Sequence, residues 1–282
     1  SVFLESRPDL QPDGNALDIA IIRLPRIANF DDFDPLGYEP DARVRYVHGP
    51  RDLGRPDLLI IPGTKSTLAD LAYLYESGLA TRVSRLAREG VPIVGICGGY
   101  QMLGRKIADP LGVESNIGEM DGLGLLDVET EFAAGKTTSQ VTATVIGNRG
   151  LLAGSTGQTV TGYEIHMGQT RGSTDLPAFG VVDRGQGTGD RETSPDPRPL
   201  IPDPYLDGQT DETGNIVGTY LHGLFHNAGF RRNLLDAVRR LKGMPPLEAE
   251  IAFSRDREYD KLADLVRSSI DIDAVYAMIG LR

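Results

Sequence analysis

Cysteine is nearly missing from this chain: Cys97 is the only one among 282 residues, and tryptophan is absent. One cysteine cannot close an internal disulfide, so nothing calls for an oxidising compartment. The four histidines, His48, His166, His222 and His226, are scattered. No C-x-x-C or H-E-x-x-H spacing exists, so no zinc site is recognisable and no metal is expected. Long apolar runs are missing too. "LLIIP" and "IAII" fall far short of the roughly 20 residues that cross a bilayer. No basic stretch followed by an apolar one marks a secretory leader. Positive charge is in deficit: 29 Lys and Arg against 40 Asp and Glu leave a net charge of −11. That is opposite to the basic face a nucleic-acid binder needs. No G-x-x-x-x-G-K-[ST] phosphate loop occurs, and "GTKS" at 63–66 has the wrong order for one. What remains is a cytoplasmic protein acting on small molecules, with no membrane or nucleic-acid partner.

What is present is an alternation of strands and helices. The apolar runs "LDIAIIRLP" (17–25), "ARVRYVH" (42–48), "DLLIIPG" (57–63) and "VPIVGI" (91–96) read as strands. Ser66 reads as the N-cap of a helix carrying Leu68, Leu71, Leu74 and Tyr75 at helical spacing. A second helix spans 79–89 and stops at Gly90, and "GYQMLGRKI" (99–107) reads as a third. This order implies an α/β fold, a three-layer sandwich on a mostly parallel sheet. From about 123 to 166, strand-like segments without long helices between them suggest an antiparallel extension. The polar start, 1–16, reads as a linker or tail and 17–282 as one domain. Residues 184–214, dense in Gly, Pro, Asp and Thr, read as a long surface loop. "NIVGTYLHGLF" (215–225) returns to strand, 227–242 is a basic helix, and two short C-terminal helices fill 256–282.

Cys97 sits in Gly95-Ile96-Cys97-Gly98-Gly99, between a strand and a helix. A free cysteine is most often an inert buried residue. Here the flanking glycines and the strand-to-helix turn give the form of a nucleophile elbow with Cys in place of Ser. The turn projects the side chain above the C-terminal edge of the sheet, and the helix beneath favours negative charge on a thiolate. The amide of Gly98 points to where an oxyanion would form, and the turn after Pro62 offers the amides of Gly63 and Thr64 to complete the hole.

A thiol nucleophile needs a base. His222 and His226 follow a late strand in "GTYLHGLFHN". Strand ends of a parallel sheet converge, so His222 is the first choice. His226 reads instead as a capping or surface residue, His166 in "GYEIHMG" is a third choice, and His48 reads as a surface residue.

With these residues in view, "PGTKST", "GICGGYQMLG" and "GTYLHGLF" resemble the class I glutamine amidotransferases. "RLPRIANFDDFDPL", "GLGLLDVET", "KTTSQV" and "GYEIHMG" narrow the resemblance to the cobyric acid synthase family, over roughly residues 15–280. The resemblance implies that Cys97 attacks the side-chain amide of glutamine and that His222 is the base. Gly63, Thr64 and Gly98 would hold the oxyanion, and Gln101 would help bind glutamine. It also implies that the ammonia amidates carboxylates of a corrinoid acceptor, adenosylcobyrinic acid a,c-diamide, in cobalamin biosynthesis. The chain itself is expected to need no cofactor. ATP and Mg belong to a synthetase domain that precedes this one in the family, so the chain reads as the C-terminal half of a longer protein. The acid that most class I domains carry two positions after the His is replaced by Leu224. Glu164 is the candidate to orient the imidazole instead, with His166 as a further supporting residue. Two other readings stay open: a glutaminase subunit for another ligase, such as one amidating a peptidoglycan precursor (lipid II), and a non-catalytic structural partner of a synthetase.

Overall fold

The computed structural model describes residues 16–172, 175–184, 205–247, 255–278 and 280. Five parallel strands form its centre, in the order β2 (Ala42–Val47), β1 (Leu17–Ile22), β3 (Leu58–Ile61), β4 (Ile93–Ile96) and β11 (Ile216–Thr219). β3, β4 and β11 are buried at every position. Such runs suit parallel strands covered on both faces. β2 lies at the sheet edge, and Arg45 there hydrogen-bonds Asp18 of β1 at 2.7 Å. Helices α1 (Pro50–Leu53), α2 (Thr67–Glu76), α3 (Leu79–Arg88), α4 (Gly98–Leu103) and α5 (Ala228–Leu241) complete the layers.

Beyond β11 the sheet continues antiparallel through β10 (Tyr205–Thr210), β9 (Pro177–Arg184) and β7 (Val128–Val145). β7 makes a long hairpin with β8 (Thr159–Gly172), interrupted between Phe132 and Thr137. β5 (Lys106–Ala108) and β6 (Glu119–Asp121) close the far side. The expected antiparallel extension is therefore present.

Two expectations are corrected. The helix read over 99–107 ends at Leu103, because the chain turns to pair with another strand: the Arg105 amide donates to the Val128 carbonyl at 2.7 Å and Lys106–Ala108 becomes β5. The loop read over 184–214 contains a strand, β10, and β9 runs into its start. The polar sequence "YLDGQT" of β10 hides this, because its polar atoms are satisfied by neighbours. The Asp207 carboxylate, 3 % exposed, accepts the Thr219 hydroxyl and, at 3.1 Å, the Tyr220 amide. The remainder of that loop, 185–204, and nearly all of the 1–16 tail lie outside the described residues.

The basic helix α5 is not a solvated face. Arg231, Arg232 and Arg239 are buried, and their guanidinium groups meet Glu39, Asp41 and Asp236. Among the described residues, α6 (Arg255–Ser269) and α7 (Ile272–Met278) belong to a second compact unit. Among the described residues no helix is long and apolar enough to cross a membrane.

Candidate active site

The C-terminal ends of β1, β3, β4 and β11 share one edge of the sheet, where ligands bind in open α/β folds. Each contributes one part of the site. Cys97 follows β4 directly. Its φ of 51° is one of only two positive values at non-glycine positions among the described residues. A strained turn of this kind aims the side chain out of the strand-to-helix junction. The turn is held by the Cys97 amide donating to the Thr219 carbonyl at 2.8 Å. Gly99 lets α4 sit against the end of β3: a β-carbon there would lie 2.0 Å from the Ile61 carbonyl oxygen.

His222 stands three residues beyond β11 and is 1 % exposed. Gly63 faces the side chains of Cys97 and His222. A β-carbon at Gly63 would meet the His222 Cε1 at 3.1 Å and the Cys97 Cβ at 3.6 Å. The Thr64 amide nitrogen would lie 3.4 Å from a β-carbon at Gly98. Cys97, His222, Gly63, Thr64 and Gly98 thus meet in one place.

Burial pushes the His222 imidazole down, but its hydrogen bonds to Asp32 and Cys97, with the charges of both, overcome that and raise it to about 10. The ring is also stacked on Tyr163 of β8, centroids 5.0 Å apart. The Cys97 thiol lies 3.5 Å from the Ile165 carbonyl oxygen, and Tyr163 and His222 exchange backbone hydrogen bonds. β8 is therefore the wall that closes over the thiol and the imidazole.

Three expectations change. Glu164 is not the partner of His222: its carboxylate is 1 % exposed and accepts the Tyr205 hydroxyl. The group on His222 Nδ1 is the carboxylate of Asp32, at 2.6 Å, whose other oxygen accepts the Gly223 amide at 2.8 Å. Asp32 lies 190 positions earlier, on a different element from the expected Glu164. The signal was available, because Asp32 lies in "NFDDFDPL", beyond the end of β1, at the same sheet edge that pointed to His222. Gln101 is 2 % exposed and its amide is engaged inside the protein. Its oxygen accepts the Thr67 hydroxyl and its nitrogen donates to the Tyr220 hydroxyl, both at 3.0 Å. It braces the elbow helix against α2 and the strand leading to His222. Ser66 holds the N-cap position of α2 without a side-chain bond. The Glu114 carboxylate accepts the Thr67 and Leu68 amides in its place.

His166 stacks on Tyr220 with centroids 3.8 Å apart, and its Nδ1 bonds the Gly168 carbonyl at 2.9 Å. It supports the far wall and is not the partner of the thiol. His226 meets the Asp31 carbonyl at 3.0 Å and His48 is exposed. Among the described residues no group of three or more His, Cys, Asp or Glu is placed to hold a metal.

A family model for the CobB/CobQ-like glutamine amidotransferase domain matches residues 18–230. The chain belongs to the CobB/CobQ-like glutamine amidotransferase family. Its curated relatives include the cobyric acid synthase of Dehalococcoides mccartyi (strain BAV1), 49 % identical over 94 % of this chain and 50 % of that protein. The cobyric acid synthase of Desulfitobacterium hafniense (strain DCB-2) is 45 % identical over 100 % of this chain and 52 % of that protein. This amidotransferase domain therefore spans about half the length of the curated relatives it matches. Its fold is shared with PurLQS from Thermotoga maritima, at a TM-score of 0.56 and 16 % identity over 80 % of this chain and 99 % of that one. A GMP synthase component from Thermoplasma acidophilum is similar at a TM-score of 0.50 and 14 % identity, over 81 % of this chain and 96 % of that one.

Proposed function

We propose that this chain is the thiol glutaminase module of a cobyric acid synthase, supplying ammonia for ATP-dependent amidation of a corrinoid. The observation that carries the reading is the meeting of Cys97, His222 and the Gly63–Thr64 turn at the sheet edge. In the first step the Cys97 sulfur adds to the side-chain carboxamide carbon of glutamine. The amides of Thr64 and Gly98 receive the charge that develops on oxygen. His222, having taken the thiol proton, delivers it to the nitrogen as the carbon–nitrogen bond breaks. Ammonia leaves and a γ-glutamyl thioester remains on Cys97. In the second step His222 takes a proton from water, the hydroxide adds to the thioester, and glutamate departs as the proton returns to sulfur. The balance is glutamine plus water to glutamate plus ammonia.

The acceptor chemistry belongs to the other half of such a protein. The identity to cobyric acid synthases supports a preceding synthetase domain that binds ATP and Mg and presents the corrinoid carboxylates. The test is release of ammonia and glutamate from glutamine by this chain beside its Cys97→Ser variant. Turnover by the parent alone supports the thiol mechanism, and equal turnover by both removes it. Adding a synthetase half with ATP, Mg and adenosylcobyrinic acid a,c-diamide then tests the acceptor: amide formation supports it, and ammonia release without amidation sends the ammonia elsewhere.

A further inference from the structure

The segment after β1, residues 26–32, touches both halves of the site. At one end it is tied to the turn that carries Gly63 and Thr64. The Ala28 amide donates to the Gly63 carbonyl at 2.9 Å, the Lys65 amide donates to the Arg26 carbonyl at 3.0 Å, and Ile27 and Thr64 form an isolated bridge. Asp70, fully buried, fastens the same corner, accepting the Arg26 amide at 3.1 Å, the Arg26 guanidinium at 3.0 Å and the Thr64 hydroxyl at 2.5 Å. At the other end Asp32, 2 % exposed, holds His222 Nδ1 and the Gly223 amide. Between them Asn29 adopts a left-handed conformation, φ 53°, that non-glycine residues rarely take. Its side-chain amide nitrogen lies 3.1 Å from His222 Nδ1 and 3.3 Å from Nε2. Strain of this kind persists where the surrounding contacts over-determine it.

We propose that this segment is a strap that sets the oxyanion turn and the imidazole in one register, and that Asp32 is the positioning residue that fixes the tautomer of His222. The proposal rests on the glutaminase reading. The Asp32 carboxylate comes from the same sheet edge as His222, though 190 positions earlier in sequence. With Nδ1–H donated to Asp32, Nε2 is the nitrogen turned toward the thiol, and the buried carboxylate stabilises the imidazolium that forms when Cys97 gives up its proton. Two positions after His222, where an acid was sought, stands Leu224, 2 % exposed. The strap replaces that acid and makes base orientation inseparable from the geometry of the oxyanion turn.

The ionisable groups facing the ring are Asp32 from the strap, Cys97 from the β4–α4 turn and Tyr163 from β8. The test compares Asp32→Asn, Asp32→Glu and Cys97→Ser with the parent in two assays. Steady-state glutaminase turnover of Asp32→Asn should fall about 10²- to 10⁴-fold in kcat with little change in KM, and Asp32→Glu should recover part of it. Alkylation of the single cysteine by iodoacetamide across about pH 5–10, which needs no turnover, should lose its reactivity near about pH 6 in Asp32→Asn and move toward the profile of an unpaired thiol. Parent-like kcat and an unshifted alkylation profile in Asp32→Asn would overturn the proposal. So would a lowered melting temperature with both profiles intact, since that is the mark of a purely structural carboxylate. Failure of the underlying glutaminase reading looks different: Cys97→Ser would release ammonia as the parent does, while the alkylation profile still reports on Asp32.

Discussion

Replacing Gly99 by Ala tests how closely the elbow is fitted. A β-carbon at this position would lie 2.0 Å from the Ile61 carbonyl oxygen, 2.6 Å from its carbon and 3.0 Å from the Pro62 carbonyl oxygen. These are backbone atoms at the end of a fully buried strand, so no rotamer change relieves them. Bringing the closest contact to an allowed separation moves α4 off β3 by about 1 Å in a close-packed interior. A displacement of about 1 Å at reacting groups costs on the order of 10²-fold in rate. Overpacking costs about 1–3 kcal/mol, offset by roughly 1 kcal/mol from the better helix propensity of alanine. Activity should therefore fall far more than stability. The assay is coupled ammonia release at saturating glutamine beside a thermal melt. Gly49→Ala, where nothing lies within 4 Å, is the control. Parent-level turnover and melting in Gly99→Ala would refute the claim that this approach sets the nucleophile.

Further outcomes follow from other contacts. Asp41, 7 % exposed, pairs with Arg232 and Arg239. Asp41→Ala leaves two buried guanidinium groups short of a partner and should cost about 3–5 kcal/mol in denaturant unfolding, with glutaminase kinetics intact below the transition. Gln101→Leu removes one hydrogen-bond partner from each of the Thr67 and Tyr220 hydroxyls. Tyr220 keeps Thr170 and Gly168, so the loss should be about 1 kcal/mol in the same experiment. His222 has its folded-state pKa raised to about 10. A raised value means that its contribution to stability is complete below its ordinary value near 6.5 and is lost as pH rises toward 10. The melting-temperature advantage of the parent over His222→Gln should accordingly be larger at about pH 6 than at about pH 10, and a constant difference would contradict the sign.

The parallel core was legible because its strands are short apolar runs between turn residues. "LLII" and "IVGI" are buried at every position, and their order alternates with helices. Cys97, His222 and the Gly63–Thr64 turn were legible for the same reason: they follow those strands, and strand ends converge. β10 was hidden, since Asp207, Gly208 and Gln209 look like loop residues. Only pairing with β9 and β11, and the acceptors offered to Thr219 and Tyr220, make them a strand. The overlong reading of α4 has a similar origin, because "RKI" carries no local signal of pairing with β6 and β7. Asp32 was missed for a different reason. Sequence spacing near a histidine is a guide only when the orienting acid is carried on the same element, and here it lies in the strap after β1. Glu164 was plausible by type and by element, yet its carboxylate meets Tyr205.

The most direct test of the central claim is intact-mass measurement after treatment with an electrophilic glutamine analogue, with and without excess glutamine. The account predicts one adduct per chain on Cys97, slowed by glutamine and absent from Cys97→Ser. An adduct that forms at the same rate whatever the glutamine concentration would contradict it, since Cys97 would then be a reactive thiol outside any glutamine site.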